Sequence, residues 1–119
     1  MSKTQDVELR SRTKTFALRI IRLYVSLPKT TEAQVLGKQV LRSGTSVGAH
    51  YREAQRAKSD ADFISKVEGG LQELDETAYW LELLVESKIV AERKLAALMK
   101  EADELTAIFV TIVNKMKRK

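Results

Sequence analysis

The chain has 119 residues, 31% of them charged, with one proline, five glycines and no cysteine. That length buries a core without staples, and the lack of cysteine excludes a disulfide framework or a thiolate metal site, which fits a reducing cytoplasm. The net charge of +5 hides a segregation: residues 1–27, 28–58 and 88–119 each carry +4, whereas residues 59–87 hold eight acids against one base, or −7. The N-terminus alternates charge (Lys3, Asp6, Glu8, Arg10, Arg12) where a signal peptide would be apolar. The longest apolar-rich run, residues 107–113, contains Thr111 and falls far short of the ~20 residues a membrane span needs. A soluble, helical, cytoplasmic domain without membrane association is expected.

The first helix is predicted over residues 4–27, where Leu9, Thr13, Phe16, Ile20, Leu23 and Leu27 recur at alternating spacings of four and three. Pro28 stops it, because proline disfavours helical geometry in the residue before it. The second helix, 31–57, starts from Thr30 or Thr31, with Gln34 three residues after Thr31 as in a capping box. Its stripe is Leu36, Val40, Ser43, Val47, His50 and Ala54. Ser59 caps the third helix, 60–87, and Asp60 and Asp62 suit the positive end of its dipole. Ile64, Val67, Leu71, Leu74, Ala78, Leu81 and Val85 form its stripe. The fourth, 91–117, carries Leu95, Leu98, Ala102, Leu105, Phe109, Ile112 and Met116. This spacing is the seam of helices crossing at ~20°, and the short connections force antiparallel neighbours. The expected fold is all-α: one domain, residues 1–119, in an antiparallel up-and-down four-helix bundle.

The apolar faces are wider than a lone bundle needs, which is about three positions in seven. The first helix adds Ala17, Ile21 and Tyr24, the third adds Phe63, Tyr79, Trp80, Leu83 and Leu84, and the fourth adds Ile108 and Val113. Surplus apolar surface marks a partner surface. Self-association is the economical reading, with Tyr24, Tyr79, Trp80 and Leu83 as candidates for a subunit interface.

The second helix contains a run of small residues, Ser43, Gly44, Thr45, Ser46, Val47, Gly48 and Ala49. Helical spacing passes straight through it, so Gly44 and Gly48 share a face and admit another helix closely. Neither a nucleophile elbow nor the lysine and hydroxyl residue of a P-loop follows the glycines. Packing is therefore the reading for Arg42, Ser43, Gly44, Ser46, Gly48 and Glu53. Gly69 and Gly70, inside the third helix, each cost up to ~1 kcal/mol relative to alanine and imply close approach or a kink. His50 is the only histidine and lies three residues before Glu53. A metal site would need further ligands from another helix, such as Asp75 or Glu76, which nothing in the spacing demands, so the expectation is a histidine bonded to a neighbouring helix, with no metal, cofactor or catalytic role.

The stretch from Arg42 to Ala54, followed by Ser59 and Phe63, resembles the small four-helix-bundle proteins encoded in intervening sequences of bacterial large-subunit ribosomal RNA genes. The matching positions are Arg42, Ser43, Ser46, Val47, Glu53 and Ala54. Further matches are Glu76, Thr77, Tyr79, Trp80 and Leu81, and the similarity spans about residues 10 to 115. His50 departs from the pattern, which has asparagine there in many members. The resemblance implies an all-helical fold and a ring-like homo-oligomer, a pentamer, without implying catalysis. A more distant similarity is to the accessory protein of diversity-generating retroelements, a basic pentamer that works with a reverse transcriptase and its template RNA.

The basic residues form the remaining candidate surface. Arg52, Arg56 and Lys58 end the second helix, Arg12, Arg19 and Arg22 lie on the first, and Lys115, Lys117, Arg118 and Lys119 close the chain. Such side chains bind phosphate backbones without reading sequence, and an oligomer multiplies the patch. The expected function is a non-enzymatic homo-oligomer that binds RNA or an RNA-bound protein. The alternative is a protein-binding scaffold whose basic charge serves solubility and subunit pairing with the acidic third helix.

Overall fold

The computed structural model describes residues 2–119, which form four helices: α1 (Lys3–Ser26), α2 (Thr31–Gln55), α3 (Asp60–Glu86) and α4 (Glu92–Lys117). Local chemistry sets most of the boundaries. Ser2 and Gln5 form a reciprocal capping box, each side chain bonding the other's backbone N–H, and this draws the start of α1 back to Lys3. Leu27, before Pro28, is extended and ends α1. Thr30 rather than Thr31 caps α2, accepting from the Ala33 N–H. Gln34 therefore takes no part in a capping box; its amide donates to the Pro28 carbonyl and accepts from the Tyr24 hydroxyl. Ser59 caps α3 through the Asp62 N–H. Past the end of α3, Lys88 takes the left-handed conformation at φ 64°, and N–H bonds from Lys88 to Val85 and from Ile89 to Leu84 close the last turn.

α1 packs on α2, α2 on α3 and α3 on α4, giving consecutive antiparallel hairpins in a rod of 47 × 22 × 21 Å. α1 and α3 do not pack on one another and occupy a diagonal. Of the helix pairs that pack, α1 and α4 meet least, and a groove of about 420 Å³ lies between Leu9 on one side and Ile108, Ile112 and Met116 on the other.

The core is mainly apolar, from Leu9, Phe16 and Ile20 on α1 to Leu105, Phe109 and Ile112 on α4, and takes in the buried hydroxyls of Thr13, Ser43 and Thr77. Along α3 the buried row is Val67, Gly70, Leu74, Thr77, Leu81 and Leu84, while Ile64, Leu71, Ala78 and Val85 are half-buried. The row is displaced from the expected stripe because α3 is covered from two sides, and small residues, Gly70 and Thr77, sit at the closest contacts. Leu84 and Val113, read from sequence as surplus surface, belong to the core. Leu36 and Met116, read as seam residues, are half-buried. Exposed large apolar side chains remain, chiefly on α1 (Val7, Leu18, Ile21, Val25) and at Tyr79 on α3. Among the described residues no helix is long and apolar enough to cross a membrane.

Candidate nucleic-acid interface

Antiparallel wiring brings the N-termini of α1 and α3 and the C-termini of α2 and α4 to one end of the rod. Arg52, Arg56 and Lys58 arrive there from α2, and Lys115, Lys117, Arg118 and Lys119 from α4. A shared hollow and ion pairs to α3 place the two groups side by side. A shallow hollow is lined by Ala57, Lys58, Ser59 and Asp60 on one side and by Met116 and Lys119 on the other. Lys119 Nζ lies 3.8 Å from Asp60, and Lys117 Nζ donates to Glu68 at 3.0 Å. Arg52, Arg56, Lys58, Lys115 and Arg118 make no side-chain ion pair among the described residues, and all but the half-buried Arg52 are exposed. Lys115 also stands on the rim of the α1–α4 groove.

The α1 arginines are not part of this cluster. Arg12 turns inward across the α1–α4 seam, its guanidinium donating to both oxygens of Glu101 at 2.6 and 3.0 Å and to Glu104 at 3.1 Å. The hydrogen bond to Glu101 raises its pKa further and fixes it as a structural cation. Arg19 is half-buried and Arg22 exposed, both farther along α1. Arg42 is likewise engaged, bonding Glu76 at 2.5 Å and Glu73 at 3.3 Å on α3. Sequence alone shows the charge of Arg12 and Arg42 but not the acids that neutralise them, which lie 31 to 92 positions away.

The small residues of α2 divide between two neighbours. Gly37, Gly44 and Gly48 face α1: a Cβ at Gly44 would stand 2.7 Å from Ile20, and one at Gly48 would stand 3.2 Å from the Thr13 hydroxyl. Ser43 faces α3, where its hydroxyl accepts from buried Thr77 at 2.8 Å and donates to the Gln39 carbonyl. Ser46 donates back to the Arg42 carbonyl within the helix. Glu53 is exposed, 3.8 Å from both Lys66 and His50.

His50 does not bond to a neighbouring helix. Its Nδ1 is buried without a hydrogen-bond partner, and the imidazole presses on α3, where a Cβ at Gly69 would come within 2.8 Å of it. Gly70 gives the same room to Phe109 of α4. The adjacent glycines thus let α3 be approached from both sides, and α3 stays continuous through them. Among the described residues no three His, Asp or Glu side chains gather as a metal-ligand set.

Of the interface candidates, Tyr24 is half-buried with its ring against Gly37 and its hydroxyl bonded to Gln34, so much of it already serves α1–α2 packing. Trp80 is half-buried against the core, with its indole N–H buried and unpartnered. Tyr79 stands 54% exposed, tilted against Trp80 at 5.1 Å between ring centres, and Leu83 is half-buried beside it.

Comparison with curated proteins gives no match. Among solved structures, the chain is similar to a protein of unknown function from the S23 ribosomal protein family of Bacteroides thetaiotaomicron. The two are 38% identical, the alignment covers 92% of this chain and 97% of that one, and the TM-score is 0.86. Residues 5–111 match the family described as 23S rRNA-intervening sequence protein, which takes in all but the extreme ends of the bundle, and the chain belongs to that family.

Proposed function

We propose that this chain is a non-catalytic, cytoplasmic bundle that self-associates into a ring and binds RNA, or an RNA-bound protein, through the basic end of each subunit. The observation that supports it is the convergence of Arg52, Arg56 and Lys58 with Lys115 and Arg118 at one end of the rod, free of the ion pairs that neutralise Arg12 and Arg42. Guanidinium and ammonium groups displayed together bind phosphates by charge and release counterions, so affinity falls as salt rises. One such end is a small patch. Repeated around an assembly, it gains from effective concentration without any new contact. The exposed apolar residues of α1 and α3 supply the reason to assemble.

The test is binding of a mixed-sequence single-stranded RNA across a salt series, for the wild type and for Arg52→Ala with Arg56→Ala. The double variant should lose about tenfold in affinity, and its plot of log K against log salt should be shallower by about 1.4, or 0.7 per lost phosphate contact. Binding that ignores salt, or a double variant equal to wild type, overturns the reading. An assembled protein that ignores RNA at all salts makes this a protein scaffold instead.

A further inference from the structure

The two helices on the diagonal, α1 and α3, run in the same direction, each starting at the basic end of the rod. Each also carries residues at helical spacing on the side away from the core. On α1 these are Val7, Lys14, Leu18, Ile21 and Val25, with Arg22 beside them, and all are exposed. On α3 they are Gln72, Asp75, Tyr79, Glu82 and Glu86, again exposed, with half-buried Leu83 next to Tyr79. A helix that already buries one face in the bundle has no use inside the subunit for a second, partly apolar one. Lys14 and Arg22 make no ion pair among the described residues, and neither do Asp75, Glu82 and Glu86. The α1 face is thus basic and apolar, and the α3 face acidic around an aromatic. Because α1 and α3 do not pack on one another, these faces meet only between copies.

α2 packs on both helices and fixes their relative height. Gly48 lies against Thr13 and Gly37 against Tyr24 on the α1 side, while Ser43 bonds Thr77 and His50 lies against Gly69 and Gly70 on the α3 side. Carried across α2, these contacts set Thr13 level with Gln72 and Tyr24 level with Leu83, to within about one residue, or ~1.5 Å. Rotation about an axis along the rods changes neither height nor direction. Copies related in that way meet α1 on α3 in parallel and level. Ile21 then stands within about 1.5 Å of the height of Tyr79, and Val25 within about 1.5 Å of that of Leu83. Lys14 stands within about 3 Å of the height of Asp75, and Arg22 within about 1.5 Å of that of Glu82. Contacts inside the subunit set this register, and it brings apolar against apolar and base against acid.

Resting on the self-association and RNA binding proposed above, we propose that copies stand side by side in parallel, the outer face of α1 on the outer face of the next copy's α3, and that the RNA site is the single basic rim this builds. The contact uses two different surfaces, so it passes from copy to copy, and with every copy pointing the same way a cyclic ring can close when the angle allows. An antiparallel contact would turn alternate copies over and divide the basic residues between two ends of the assembly. Parallel packing instead gathers Arg52, Arg56, Lys58, Lys115 and Arg118 of every copy on one rim. A phosphate backbone crossing from one subunit to the next then meets its second site at high effective concentration, so the site is incomplete in a lone subunit.

Charge reversal tests both parts. Lys14→Glu with Arg22→Glu reverses α1, and Asp75→Lys with Glu82→Lys reverses α3; circular dichroism checks that helicity is kept. Light scattering at a concentration where the wild type is assembled should show each double variant shifted toward monomer mass, a weakening of about tenfold or more. The variant carrying all four changes has complementary faces again and should regain the wild-type mass. Binding of the mixed-sequence single-stranded RNA should follow the same order, about tenfold weaker for each double variant and restored in the fourfold one. Asp75→Lys with Glu82→Lys makes the chain more positive, so weaker binding by it reports lost assembly and not lost charge. The chain has no native cysteine. Arg22→Cys with Glu82→Cys should therefore form inter-subunit disulfides under mild oxidation that Lys14→Cys with Glu82→Cys does not, because the latter sites differ by about 13 Å in height. A wild type that is monomeric throughout sinks the assembly reading and this contact together. Assembly that survives both reversals, or dissociation that the fourfold variant does not repair, overturns the contact alone. Preferential cross-linking through Lys14→Cys overturns the parallel register. Dissociated variants that bind RNA as tightly as wild type overturn the shared rim, and an assembled wild type that ignores RNA overturns the RNA reading above and the rim with it.

Discussion

Tyr51 is the largest fully buried side chain, and its environment makes a polar commitment that its position does not announce. The ring lies 5.9 Å from Phe109, and the hydroxyl donates to the Asp6 carboxylate at 2.7 Å, tying the last turns of α2 to the first turns of α1. Burial, and then the hydrogen bond and charge of Asp6, push the phenol well above its ordinary value of 10.0. Hydrogen bonds to charged groups exceed neutral ones in worth, but Asp6 is half-buried, so Tyr51→Phe should cost about 1 kcal/mol at neutral pH. The sign of the pH dependence follows from the raised value. The protonated phenol is favoured in the folded state, so its contribution is complete below pH 10.0 and fades as the pH climbs toward the folded-state value. Denaturant titrations at pH 7 and at rising alkaline pH should show the gap between wild type and Tyr51→Phe narrowing above pH 10; a constant gap rules this linkage out.

At the scale of the helix pair, α1 and α2 approach through glycine, and the separate glycines are not equivalent. A methyl group at Gly44 meets Cγ1, Cγ2 and Cδ1 of Ile20 between 2.7 and 3.1 Å, and Ile20 is fully buried with a stiff, branched side chain. Overpacking of that kind costs about 1–3 kcal/mol, against a gain of up to ~1 from replacing glycine inside a helix, so Gly44→Ala should lose about 1 kcal/mol. At Gly48 the nearest atom is the Thr13 hydroxyl at 3.2 Å, and a shift of a few tenths of an ångström relieves it. Gly48→Ala should therefore stay within about 0.5 kcal/mol of wild type. Thermal unfolding of the two variants side by side decides the point, and equal effects would mean that α1 moves as a rigid body. The helices themselves were legible in sequence because apolar periodicity is local: all six predicted seam residues of α1 are buried. Periodicity read less well on α3, where the closest contacts are made by Gly70 and Thr77, residues that an apolar count passes over. Capping was legible at Ser59 but not at Ser2, whose box starts before any apolar residue marks a helix.

Charge at the level of the whole bundle was half legible for a related reason. The sum over each segment is fixed by composition, and antiparallel wiring then sends Arg52, Arg56 and Lys58 to the same end as Lys115 and Arg118. Which cations are neutralised within the fold depends on contacts between distant helices, and Arg12 is the case with the largest mechanical consequence. α1 and α4 make the sparsest contact of the neighbouring helices, with a groove of about 420 Å³ between them at the basic end. Across this seam Arg12 makes a two-pronged bond to Glu101, with both side chains largely shielded (27% and 19% exposed). A fork of this geometry is worth more than an ordinary surface pair, so Arg12→Ala should cost about 1 kcal/mol. Arg12→Lys should recover only part of it, because an ammonium cannot hold both oxygens in plane. The loss should also be local: amide exchange in residues 5–16 of α1 and 101–112 of α4 should quicken, while that of the α2–α3 pair stays at wild-type rates. Uniform acceleration through all four helices would show instead that the bundle opens as one unit and that the seam has no separate mobility. If the exchange is local, the α1–α4 groove is the part of the molecule that widens first, and Lys115 on its rim connects that opening to the end where the basic residues gather.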